Sequence, residues 1–202
     1  LQMTVSHHDH NWHIPLALSG TFQAINALTA AIMGHMSGLP LQDSLHAIAF
    51  LKSANGRMQT VSGHPDGAQI VVDYAHTPDA IETAICAFRP HVMGRLIAII
   101  GAGGDRDPIK RPLMGAAAAA YADYVIVTDD NPRSENPKDI RKMVLEGIGG
   151  TKNIAEFGDR AEAILRAVDM LEAGDGLLIT GKGHETGQVV GEDILPFNDV
   201  EQ

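Results

Sequence analysis

The sequence has 202 residues, a formal net charge of −10, an apolar share of 45% and one cysteine. That length suits one domain, or one and part of another. The charge argues against a nucleic-acid or anionic-membrane surface, and a single cysteine excludes an internal disulfide, in keeping with a reducing cytoplasm.

The chain opens on LQMTVSHHDHNWH, which lacks a basic segment followed by an apolar one and so does not read as a signal peptide. It has no initiator methionine, and the expectation is a fragment of a longer chain. His7, His8, His10 and His13 with Asp9 fit no closed zinc spacing, so the stretch reads as a polar edge strand or loop. Residues 21–36 place Phe22, Ile25, Leu28, Ile32 and Met36 three and four apart, the pattern of one helix face, with Ser19 or Thr21 as N-cap. LQDSLHAIAFL (41–51) predicts a second helix. The turn-like SANGR (53–57) marks a domain boundary, giving one part over 1–54 and another over 55–202.

Beyond it the rhythm changes. Short apolar runs at QIVVDYA (69–75), RLIAIIG (95–101), YVIVT (124–128), NIAEF (153–157) and GLLIT (176–180) alternate with helical patterns, and QVVGEDILPF closes as a hairpin. Runs apolar on both faces belong to a buried parallel sheet with helices on both sides. The expected fold for 55–202 is therefore an open, mostly parallel α/β sheet of five or six strands. Cys86, in the apolar AICAF, reads as a buried helix cysteine, and the five-alanine run as a close-packed helix face. No segment reaches the ~18 uninterrupted apolar residues of a membrane span.

Four unusual loops follow four of these strands: DYAHTPD (73–79), GAGGDRDPIKRP (101–112), TDDNPR (128–133) and TGKGHE (180–185). Parallel strands end along one edge, where open α/β sheets bind ligands, so the four loops are expected around one cleft. The glycine loop is neither a dinucleotide fingerprint nor a Walker A loop. It reads either as a tight turn or as backbone brought close to an anion, with Arg106, Lys110 and Arg111 beside it. Thr77 and Pro78 read as a helix N-cap and first turn, which leaves Asp73 and His76 for a ribose hydroxyl and a phosphate. In TDDNPR, Pro132 stiffens a loop carrying two carboxylates and a guanidinium.

Taken in order, DYAHTPDA, GGDRDPIKRPLMG, VTDDNPRSENP and GKGHE, together with the upstream FQAINALTAA and GRMQ, resemble the Mur ligase family from about Gly20 to the C-terminus. The resemblance implies a Rossmann-like amino-acid-binding domain over 55–202, preceded by the helical tail of a central ATP-binding domain over 1–54. It implies an ATP-dependent ligase that joins meso-diaminopimelate to UDP-N-acetylmuramoyl-L-alanyl-D-glutamate through an acyl phosphate, in peptidoglycan synthesis. A P-loop and the ligands of Mg²⁺ are expected upstream, so the fragment alone is expected to be inactive. For diaminopimelate the resemblance points to Arg106, Asp130, Asn131, Pro132, Arg133, Gly181 and Glu185. For ATP it points to Asn26, Arg57, Asp73, His76 and Lys110. The pattern departs at Ile109, where the family usually has glycine. The expected partners are these small molecules, not nucleic acid or membrane, and the expected state is a cytoplasmic monomer. The alternatives are a related Mur or folylpolyglutamate-type ligase, which a different amino acid would reveal, and a non-catalytic nucleotide-binding module.

Overall fold

The structure is a computed structural model that describes residues 1–150 and 153–202. It divides into two compact units, Leu1–Ala54 and Asn55–Gln202.

In the first unit the histidine-rich stretch forms an antiparallel hairpin, β1 (Gln2–His7) and β2 (His10–Pro15). Two helices follow, α1 (Thr21–Met36) and α2 (Leu41–Ala47), and a 3₁₀ turn over Ile48–Phe50. Their core gathers Ile14, Leu16, Leu18, Ala27, Ala31, Leu45 and Ile48. Two expectations are corrected here. The N-cap of α1 is Gly20, at φ 90° and without a side-chain hydrogen bond, rather than Ser19 or Thr21. The buried face of α1 runs through Ala27 and Ala31, with Ala24 and Leu28 packed beside them, while Ile25, Ile32 and Met36 are exposed. Small residues let α1 approach its neighbours closely, so its core face is offset from its bulkiest stripe.

The second unit is built on six strands in the order β3–β4–β8–β5–β6–β7. They are β3 (Gln59–Val61), β4 (Gln69–Val72), β5 (Leu96–Ile100), β6 (Tyr124–Val127), β7 (Ile154–Glu156) and β8 (Gly176–Ile179). All are parallel except β3, which pairs antiparallel with β4 at the edge. The connections carry α3 (Pro78–Phe88), α4 (Lys110–Tyr121), α5 (Pro137–Ile148) and α6 (Arg160–Asp169). On one face Ile70, Val72, Ile97, Ile99, Leu177 and Ile179 pack with Ala163, Ile164 and Ala167 of α6 and with Phe197 and Val200 of the closing segment. The alternate residues, such as Ala98, Ile100 and Leu178, turn to the other face, where α4 and α5 lie on β5 and β6. Burial on both faces is why these strands read as unbroken apolar runs. A final hairpin, β9 (Gly187–Val190) and β10 (Asp193–Pro196), stands apart from the sheet.

Local signals behave as their chemistry dictates. Thr77 Oγ1 accepts the backbone N–H of Ala80 (3.3 Å), with Pro78 in the first turn of α3. The alanine-rich α4 packs closely on α5: a Cβ on Gly115 would strike the Val144 carbonyl. Cys86 is exposed, contrary to expectation. α3 buries Ile81, Ala84, Ile85 and Phe88, and a helix turns about 100° per residue, which carries Cys86 off that face.

Candidate functional site

Because β4, β5, β6 and β8 are parallel, the loops that follow them share one sheet edge. Together they enclose a cavity of about 330 Å³. His76, Arg106, Lys110, Asp130, Asn131, Arg133, Gly181 and Glu185 all line it. Stretches more than a hundred residues apart in sequence therefore meet.

The wall after β6 is the most constrained. Arg133 sits at φ 51°, an uncommon conformation for a non-glycine residue. Two backbone hydrogen bonds hold it there: its N–H donates to the Val189 carbonyl (3.0 Å) and its carbonyl accepts from Gly191 (2.8 Å), both on the final hairpin. Its guanidinium donates from Nη1 to the Gly104 carbonyl (2.8 Å). Among the described residues Nε and Nη2 have no protein acceptor, and the side chain lines the cavity. Asp130 Oδ1 accepts the Asn131 N–H (2.7 Å), and Gln188 Nε2 donates to the Asp130 carbonyl (2.7 Å).

Glu185 faces this wall from the loop after β8. Its Oε2 accepts from Asn131 Nδ2 (2.9 Å) and from Lys182 Nζ (3.0 Å). Lys182 Nζ also donates to Asn131 Oδ1 (2.9 Å), which further accepts the Val189 N–H (2.9 Å). Asn131, Lys182 and Glu185 thus form a closed network, with Glu185 Oε1 left without a protein donor among the described residues. Burial works to raise the Glu185 pKa. The hydrogen bonds from Asn131 and Lys182 and the charges of Lys182 and Arg133 outweigh it and leave the carboxyl below its ordinary range.

The glycine loop after β5 serves this wall. Gly104 N–H donates to the Asn131 carbonyl (2.9 Å), and a Cβ on Gly104 would collide with the Pro132 carbonyl. Close loop-to-loop approach accounts for that glycine. Arg111, 2% exposed, makes a two-pronged pair with Glu135 (2.8 and 2.7 Å), whose Oε1 also accepts the Asp105 N–H (2.6 Å). Ile109 has ordinary backbone angles (φ −63°, ψ −29°) and an exposed side chain, so replacing glycine there strains nothing.

The remaining predicted residues divide. Asp73 is buried at the end of β4, and its two oxygens accept the N–H groups of Met58 and Ala75, each at 2.8 Å. Burial pushes its pKa up against those bonds and the Arg57 charge. Arg57 lies over the Tyr74 ring, 4.7 Å from its centroid, and His76 and His184 pack against the same ring. Pro132 is buried behind the cavity wall. Asn26 is exposed on α1 of the first unit.

Residues 56–183 match the family described as "Mur ligase, glutamate ligase domain". The chain belongs to the Mur ligase family. The resemblance carried by its four loop motifs is thereby borne out. Among Mur ligases it is similar to the UDP-N-acetylmuramoyl-L-alanyl-D-glutamate--2,6-diaminopimelate ligase of Chelativorans sp. (strain BNC1), 50% identical over 198 residues, which are 98% of this chain and 40% of that protein. The protein of the same name from Brucella melitensis biotype 1 is 49% identical over 93% of this chain and 38% of its own length. A solved structure of a ligase of that name superposes with a TM-score of 0.73 at 37% identity, covering 99% of this chain and 41% of that one. The chain thus spans about two-fifths of these relatives.

Sequence reasoning about this Mur ligase missed three residues of the site. In the sequence Lys182 is only the middle of TGKGHE, Arg111 only a charge beside the glycine loop, and Glu135 carries no signal. A lysine between two glycines reads as solvent-exposed, and nothing local signals that it is fully buried. Glu135, two residues before α5, is tied to a loop thirty residues earlier, which no spacing rule reveals.

Proposed function

We propose that this chain is the amino-acid-receiving part of an ATP-dependent, ADP-forming ligase that joins meso-diaminopimelate to UDP-N-acetylmuramoyl-L-alanyl-D-glutamate in peptidoglycan synthesis. The observation that carries this reading is a guanidinium and a carboxylate, Arg133 and Glu185, lining one cavity, each with unshared hydrogen-bonding capacity. meso-Diaminopimelate has two amino-acid ends, and the non-reacting end is a zwitterion. Arg133 pairs with its carboxylate, with Asp130, Asn131 and Pro132 holding that loop in shape. Glu185 Oε1 and the Gly181 carbonyl take its ammonium. Arg106, at the cavity's exposed rim, meets the carboxylate of the reacting end.

The reaction divides into two steps. The terminal carboxylate of the dipeptide takes the γ-phosphoryl group of ATP, giving an acyl phosphate and ADP. The deprotonated amine of diaminopimelate then attacks the acyl carbon, the C–O bond to phosphate breaks, and the amide forms. This chain contributes positioning of the amine, which converts a bimolecular attack into an intramolecular one.

On the nucleotide side, His76 and Lys110 line the cavity and in this reading meet phosphate. Asp73 holds Met58 and Ala75 beneath Arg57 and His76, and in this reading it turns toward the ribose. Asn26 is assigned to the adenine. The first unit is read as the end of the ATP-binding domain and the second as the amino-acid domain. Among the described residues no group of three or more His, Cys, Asp or Glu side chains could hold a metal ion, so no step is assigned to Mg²⁺ within this chain. No helix among them is long and apolar enough to cross a membrane; a cytoplasmic monomer is part of the proposal.

The test is ADP release by the full-length ligase with the dipeptide substrate and meso-diaminopimelate, L-lysine or glutamate, in wild type and Arg133→Ala. Wild type is expected to require diaminopimelate. Losing one partner of a buried charge-assisted pair costs about 2–5 kcal/mol, roughly 30-fold to several-thousand-fold in kcat/KM. Lysine offers no carboxylate at that end, so its rate changes far less. Glutamate-dependent turnover would point to a folylpolyglutamate-type ligase, and ATP binding with no amine dependence to a nucleotide-binding module. Equal losses for both amines would remove Arg133 as the selective residue.

A further inference from the structure

Lys182 is fully buried, a rare setting for lysine. Among the described residues its ammonium donates to two side chains, Asn131 (2.9 Å) and Glu185 (3.0 Å), and both line the cavity. It caps no carbonyl and closes no turn by itself. A fully buried ammonium loses several kcal/mol of hydration, so its position implies a use beyond loop geometry.

The surrounding charges give that use. Glu185 feels three cations, Lys182, Arg133 and Arg160. Arg160 is locked to Asp199 by two hydrogen bonds (2.7 and 2.8 Å) and also feels Asp130. Immediately around Glu185, three cations therefore stand against three carboxylates, Glu185, Asp130 and Asp199. We propose that Lys182 is a specificity-determining residue: by neutralising Glu185 from behind, it makes the cavity accept an ammonium only when a carboxylate for Arg133 arrives with it. This rests on the reading of the cavity as a diaminopimelate site and assigns a residue that reading does not use.

An unscreened carboxylate in a partly dry cavity attracts any ammonium, because Coulomb attraction strengthens as the local dielectric falls. Such a site would hold the side-chain ammonium of lysine. With Lys182 in place, Glu185 Oε2 is occupied and its charge offset. A lone ammonium then loses its hydration for hydrogen bonds to Oε1 and the Gly181 carbonyl, beside a like charge with no carboxylate of its own to offset it. A zwitterion meets Glu185 and Arg133 together and is itself neutral. Rejection of the wrong ligand by a built-in repulsive charge is how specific sites commonly discriminate.

The test compares full-length wild type with Lys182→Met, nearly isosteric and uncharged, using meso-diaminopimelate and L-lysine as the amines and thermal unfolding as a check on the fold. Without Lys182, Glu185 pulls harder on any ammonium, so the expectation is in the ratio: kcat/KM for lysine rises about 10-fold to 100-fold relative to that for diaminopimelate. Equal losses for both amines mean that Lys182 only shapes the loop, and the proposal is overturned. Lys182→Gln, which keeps a donor without the charge, is measured in parallel and is expected to shift selectivity the same way. If neither variant folds, Lys182 belongs to the fold and not to selection, and the proposal falls. A wild type without diaminopimelate-dependent turnover overturns the functional reading itself, whatever the variants do.

Discussion

At Gly104 the backbone of one loop lies against the Pro132 carbonyl of another, with no room for a methyl group. Gly104→Ala therefore forces the glycine loop and the DNPR loop apart. Overpacking of this kind costs about 1–3 kcal/mol, and the loss of the Arg133 seat on the Gly104 carbonyl raises KM for diaminopimelate as well. Gly150, with open space around it and no left-handed backbone, is the control: Gly150→Ala should change stability by less than about 0.5 kcal/mol. Urea unfolding of both variants decides the matter, and similar midpoints would contradict the geometry. Asp73 illustrates the other side of residue-level reading. As a carboxylate at a strand tip it reads as a ligand group, and its burial and two backbone donors show that it also braces the residues around it.

Between elements, the loops are clamped by charge. Arg111 at the start of α4 grips Glu135 just before α5, and its hydrogen bonds, with that of the Asp105 N–H, hold the Glu135 carboxyl below its ordinary value of 4.5. A group depressed in the folded state binds fewer protons there than in the unfolded chain, so its contribution to stability rises with pH through that window. It is present above about pH 4.5 and lost as pH falls through the lower folded value. Glu135→Gln should accordingly destabilise the chain at pH 7, with the difference from wild type shrinking toward zero below the carboxylate range. A difference that persists unchanged at pH 3 would rule the ion pair out as its source.

The same scale shows what was legible. Four strands, β4, β5, β6 and β8, stand out because both faces are buried, which makes them continuous apolar runs, while β7, half-buried at the edge, shows more weakly. β3 does not, because three residues on an antiparallel edge carry too little pattern and only half-bury their side chains. The helix α1 is legible as a helix but not as to its face. Periodicity weighs bulk, and the packing there is between alanines. At the site, twelve residues could be nominated from loop position and family resemblance, and all eight on the cavity wall lie in the four motif loops. The network behind the wall could not be nominated, since the burial of Lys182 and the reach of Glu135 arise only when distant loops meet.

Over the whole molecule, the second unit carries its own sheet, both covering layers and the entire cavity. Its closing segment is held from within by the fully buried Arg160–Asp199 pair. Domains of about 150 residues with their own core commonly fold as cooperative units. Residues 55–202 expressed alone should give a single urea transition with the helical signal of this unit intact; a gradual, non-cooperative loss would show that the boundary at residue 54 is not a folding boundary.

The contact between Gly104 and Pro132, together with the pairing of Arg133 with the final hairpin, carries a consequence for inheritance and for engineering. The loop over 130–135 is not a detachable cassette. Its shape is written jointly by segments 101–106, 130–135 and 181–191, each filling the space left by the others. A transplant of DNPR alone into a relative with a different preference brings the letters without the page they fit. On the function proposed above, only the three segments moved together would carry a preference with them.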